Sequence, residues 1–109
     1  MSWKIETLPN FIRELKPLQK KYPSLKHELQ ALMADLLENP TQGTAVGNNC
    51  YKIRLAIKSK GRGKSGGARV VTCVALVAER LVMLSIYDKS EQANINDGLL
   101  FDLVRQTGI

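Results

Sequence analysis

Acidic residues are missing from one stretch of this chain. None falls between Lys52 and Arg69, where Lys52, Arg54, Lys58, Lys60, Arg62, Lys64 and Arg69 all occur. The protein has 16 Lys and Arg against 10 Asp and Glu, a formal charge of +6. The basic residues outside this stretch are therefore matched by acids, and the whole excess belongs to one segment. Charge scattered evenly implies only solubility, whereas charge focused in one segment implies a polyanionic partner.

Other scarcities exclude other classes. His27 is the single histidine, so no His-based metal site can form. The two cysteines, Cys50 and Cys73, lack metal-ligand spacing and are expected as reduced thiols packed like small apolar groups. A metal-dependent mechanism is not expected and no cofactor is implied, although carboxylates alone can hold Mg²⁺. No apolar run approaches the roughly 18 residues of a membrane span. The first residues have no apolar core and carry Glu6, unlike a signal peptide. A cytoplasmic protein without membrane contact is expected.

What is present reads as one domain over residues 1–109, with 44% apolar residues, enough for one modest core. Residues 3–6 alternate as a short strand. Leu8, Ile12, Leu15, Leu18 and Tyr22 recur at helical spacing, with Pro17 predicting a kink or restart and Pro23 a stop. Ser24 is placed to cap a second helix, whose stripe is Leu25, Leu29, Leu32, Met33, Leu36 and Leu37. Residues 41–49 read as a loop with Gly43, Gly47 and Asn48-Asn49 as turn formers. From Tyr51 the period becomes two: Tyr51, Ile53, Leu55 and Ile57 face one way, Lys52, Arg54, Ala56 and Lys58 the other. Residues 59–67 form a glycine-rich loop. Residues 68–77 read as a central strand, Glu79-Arg80 as a turn, 81–87 as another strand, and 97–106 as a final helix. The expected fold is α+β: a strand and a helical hairpin packed on a small, mainly antiparallel sheet, then a short C-terminal helix.

Within the basic segment, Lys52 and Arg54 share a strand face about 7 Å apart. Arg69 opens the next strand and can join that face. Lys58, Lys60, Arg62 and Lys64 alternate with Ser or Gly, which lets backbone approach a phosphate chain closely. Gly63-Lys64-Ser65 echoes the end of a P-loop, but Lys58 stands where that motif needs glycine, and a strand follows where it needs a helix. A solvated basic edge that deters aggregation is the non-functional alternative.

Three strings carry a resemblance: Cys50-Tyr51-Lys52-Ile53-Arg54-Leu55, Lys64-Ser65-Gly66-Gly67-Ala68-Arg69-Val70-Val71, and Ile86-Tyr87-Asp88-Lys89-Ser90-Glu91. Together with the two helices before the sheet, they resemble the RelE/ParE superfamily of toxins, most closely its HigB-type branch. The resemblance implies a type II toxin–antitoxin toxin: a ribosome-dependent mRNA endonuclease cutting by metal-independent 2′-hydroxyl attack in the decoding site. It implies a cognate antitoxin, the ribosome and mRNA as partners, and DNA only indirectly through the antitoxin complex.

Residue by residue, it implies Lys52 as base, Arg54 and Arg69 as clamps on the scissile phosphate, and Lys89 as a further catalytic cation. Lys58, Lys60, Arg62 and Lys64 would grip RNA, and Tyr87 would stack on a base or belong to the core. Crowded cations favour the neutral form of a lysine, while arginine stays charged. The better-known RelE branch has arginine where Ser90 stands and tyrosine near Asn96, so the group that protonates the leaving oxygen stays open among Lys89, Lys64 and Arg62. A ParE-type gyrase inhibitor and a non-catalytic nucleic-acid-binding module are the alternatives; a shared fold does not separate them.

Overall fold

The computed structural model describes residues 2–60 and 66–109; Arg62 and Lys64 lie outside them. A short strand β1 (Lys4–Thr7) leads into helices α1 (Pro9–Lys21) and α2 (Leu25–Glu38). Four strands follow: β2 (Thr44–Gly47), β3 (Cys50–Leu55), β4 (Ala68–Ala75) and β5 (Arg80–Asp88), then helix α3 (Asp97–Thr107). The sheet order is β1-β5-β4-β3-β2. β1 lies parallel to β5 and every other neighbour is antiparallel. This is the expected α+β architecture.

Each face of the sheet has its own apolar cluster. Phe11, Leu15 and Leu18 of α1 and Leu25, Leu29, Leu32 and Leu36 of α2 pack on Ile53, Leu55, Val70, Leu81, Met83 and Ile86. On the opposite face, Leu100 and Leu103 of α3 pack with Cys50, Val71, Cys73, Val82, Leu84 and Tyr87. The period-two pattern thus divides β3: odd positions face the hairpin, while Cys50, Lys52 and Arg54 face the α3 side. Cys50 and Cys73 are free, buried thiols in that second cluster.

A bulge in β5 fastens the hairpin to the sheet. Val71 pairs with Ser85 but Thr72 pairs with Met83, leaving Leu84 as the extra residue. A bulge frees backbone groups from the ladder. Two α1 side chains satisfy them: Asn10 Nδ2 donates to Leu84 O at 3.1 Å, and Glu14 Oε1 accepts from Ile86 N at 3.3 Å and from Ser85 Oγ at 2.7 Å.

The structure differs from the sequence expectation in four places. Residues 44–47 are a strand, not loop; all four are exposed, so no buried alternation marked them. Asn48 and Asn49, at φ 54° and 61°, form the two-residue turn joining β2 to β3, since both central residues of such a turn take positive φ. Helix α1 runs through Pro17 without a restart; Pro17 and Arg13 are exposed, so water can take the carbonyl bond that proline cannot make. Ser24 does not cap α2 with its side chain; its hydroxyl bonds Glu28 and Ser59 instead. The fourth strand ends at Ala75, leaving Leu76 and Val77 exposed in the turn that Glu79 closes at φ 54°.

Candidate nucleic-acid interface

The strand register places the central cations. Arg54 pairs directly with Arg69, and Lys52 with Val71. Beyond the strand end, Val74 N donates to Asn49 O at 2.9 Å, which makes Cys50/Cys73 a non-hydrogen-bonded pair. Antiparallel pairs alternate, so Lys52/Val71 and Arg54/Arg69 are non-hydrogen-bonded too. Side chains stand closest at such positions. Two arginines face one another there, which sets two positive charges side by side on one sheet face.

The two arginines differ in depth. Arg54 is exposed, whereas Arg69 is only 4% exposed, and its guanidinium donates to the Ala68 carbonyl at 3.2 Å. Tyr87 stands opposite Arg69 on β5, extending the row Arg54–Arg69–Tyr87 across three strands. The Tyr87 hydroxyl is buried and has no hydrogen-bond partner among the described residues. Burial raises its pKa, against the opposing charge of Arg69.

Lys52 lies one step along the same face. Its Nζ donates to Asn94 Oδ1 at 2.8 Å. The two groups line a cleft of about 360 Å³ with Val46, Val71, Ile95, Asp97 and Leu100. Lys89 lies where β5 runs out, half-buried; its backbone N–H reaches Gly67 O at 3.0 Å and its Nζ approaches Ala93 O at 3.5 Å. The structure therefore brings Lys52, Arg54 and Arg69 onto one face, with Lys89 at the adjoining strand end.

The expected RNA-gripping residues separate. Lys58 is exposed on a single 3₁₀ turn (Lys58–Lys60), its backbone N–H bound to the Glu28 carboxylate. Lys60 turns inward: its side chain is 7% exposed and forms an ion pair with Asp88, whose side chain is fully buried. Ser90 Oγ accepts a second bond from Lys60 at 3.0 Å, and the ammonium lies 5.5 Å from the Tyr22 ring centre. Lys60 does not present its charge to solvent as expected, because the carboxylate of Asp88 outcompetes water for it. Tyr87 likewise offers no open ring for a base: it is 4% exposed and packed beneath α3. Arg62 and Lys64, also expected on RNA, lie outside the described residues.

Asp88 is the residue that pattern reading missed. Besides Lys60, it accepts from Tyr22 Oη at 2.8 Å, Ser90 N at 2.9 Å and Ser90 Oγ at 2.7 Å. Burial opposes its ionisation, but the bonds from Lys60, Ser90 and Tyr22 win and hold the carboxyl well below the usual range. It joins the start of the basic loop, the end of β5 and the hairpin bend. Asn94, in the irregular connection after β5, and Asp97, the first residue of α3, were missed as well, since no periodicity marks a polar residue at either place.

A five-stranded sheet with β1 parallel to β5, a helical hairpin on one face and a C-terminal helix on the other is the fold of the RelE toxins. Two solved structures of the E. coli toxin RelE share it. A double mutant in the free state superposes with TM-score 0.61 at 19% identity, over 97% of this chain and 98% of that one. The isolated toxin superposes with TM-score 0.56 at 20% identity, over 95% and 98%. No family model matches the sequence.

Proposed function

We propose that this protein is the toxin of a type II toxin–antitoxin pair and cleaves mRNA on the ribosome. The observation that carries the proposal is the opposed Arg54/Arg69 pair beside Lys52 on one sheet face. Two guanidiniums and an ammonium on one face suit the several oxygens of a phosphate. Within the RelE fold, the likeness of the three strings to the HigB-type branch favours cleavage over gyrase binding.

The chemistry follows from the groups present. Lys52 acts as the base that takes the proton of a 2′-hydroxyl, and O2′ attacks the neighbouring phosphorus. Arg54 and Arg69 hold the equatorial oxygens as charge builds on the phosphorane. The P–O5′ bond breaks and the 5′-oxygen takes a proton from Lys89, Lys64 or Arg62. The products are a 2′,3′-cyclic phosphate and a 5′-hydroxyl. Lys58, Arg62 and Lys64 grip ribosomal or messenger RNA, while Lys60 positions the loop. An antitoxin covers the basic face and silences it.

Purified protein added to reconstituted translation of a defined message tests the proposal. Primer extension should reveal ribosome-dependent stops that vanish with Arg69→Ala. Intact message together with arrested gyrase supercoiling would establish the ParE-type reading instead. Intact message with RNA binding alone would leave a binding module.

A further inference from the structure

The cleft beside Lys52 is walled by Val46, Val71, Ile95 and Leu100 and holds three polar side chains: Lys52, Asn94 and Asp97. Apolar walls with a few placed polar groups describe a site for a flat, partly polar ligand. Lys52 Nζ occupies Asn94 Oδ1, which fixes the amide orientation and turns its Nδ2 donor outward from that bond. The Asp97 side chain, exposed at the first residue of α3, makes no hydrogen bond or ion pair among the described residues. It is not needed as a cap, because Asn96 Oδ1 already accepts from Leu99 N at 3.1 Å at the start of α3. An acid with no structural bond, beside a face built to attract phosphate, repels phosphate and accepts from N–H groups.

We propose that this cleft receives the base of the nucleotide whose 2′-hydroxyl meets Lys52, and that Asp97 selects bases carrying an exocyclic amine. The proposal rests on the nuclease reading for the identity of the nucleotide. Adenine, cytosine and guanine each offer an amino group to the carboxylate, with a ring or carbonyl acceptor near it for the Asn94 amide. Uracil offers carbonyl oxygens where the amine would be, and these oppose a carboxylate. RNA-binding proteins commonly read splayed single-stranded bases by such edge contacts, and a good pair of contacts discriminates by about tenfold or more.

The probe is a set of short RNA oligonucleotides, identical except for one base and carrying a 2′-deoxy sugar there so that no cleavage can occur. Binding to the free protein is read by anisotropy at low salt, and the Asn94 side-chain amide by NMR. Oligonucleotides with A, C or G should bind about tenfold more tightly than the one with U and shift the Asn94 amide. Asp97→Ala should erase the preference by improving the relative standing of U, leaving total affinity for the backbone in place. No discrimination against U, a preference that survives Asp97→Ala, or no detectable binding would overturn the proposal. Base preference without any cleavage in reconstituted translation would sink the nuclease reading alone.

Discussion

Arg54 and Arg69 face one another across a non-hydrogen-bonded pair, one exposed and one buried. An exposed side chain contributes little to stability. Arg54→Ala is therefore expected to leave the melting temperature nearly unchanged while lowering cleavage. Calorimetry beside single-turnover cleavage checks this. On the proposed mechanism, Arg69→Ala removes a charge held against the phosphorane, an expected loss of about 10²–10³ in rate; Arg69→Lys should recover little, because an ammonium cannot hold two oxygens in one plane. Lys52→Ala should cost about 10²–10⁴ with ribosome affinity retained. These three residues were legible in the sequence because alternation assigns Lys52 and Arg54 to one face, and the glycine loop returns Arg69 beside them. Lys60 was not legible: no spacing distinguishes a lysine that meets solvent from one that meets Asp88, 28 residues away.

At the scale of elements, the contacts around Asp88 join β5, the hairpin bend and the 3₁₀ turn that precedes the basic loop. Lys60→Ala leaves the buried carboxylate without its cation and should cost about 3 kcal/mol, the low end for a broken buried pair because Tyr22 and Ser90 still bond it. Cleavage should fall with it, since Lys60 holds the stem of the loop; equilibrium denaturation and cleavage measured on one preparation check both. The same carboxylate sets an acid limit. Its folded pKa lies below the ordinary value near 3.8. Its contribution is thus complete above about pH 4 and drains away as pH falls below that toward the folded value. Asp88→Asn should be less stable than the parent at pH 7, and the gap should narrow at pH 3. Strand β2 shows why some elements stay hidden: with every residue exposed, its two apolar residues, Ala45 and Val46, mark no buried face, and only the Asn48-Asn49 turn betrays a hairpin.

Across the whole molecule, the fold separates structure from chemistry. The hairpin face of the sheet holds the larger apolar cluster, and the α3 face holds the smaller cluster with Lys52, Arg54 and Arg69 directly beside it. The layered architecture was legible because two helical stripes, the alternating strand from Tyr51 and the continuously apolar strand from Ala68 each need an apolar partner. The parallel β1–β5 pairing was not, since a four-residue strand states no partner. The proposed RNA-binding face should show affinity falling with salt, and Lys58→Ala should reduce that slope by about one ion while sparing the chemical step. The central claim is that the Arg54/Arg69/Lys52 face breaks phosphodiester bonds. The most direct measurement follows a defined message in reconstituted translation and identifies the ends produced. The account predicts 2′,3′-cyclic phosphate and 5′-hydroxyl ends that appear only with ribosomes and disappear with Arg69→Ala; a message left whole by active, folded protein, or cut equally well by the Arg69→Ala variant, would contradict it.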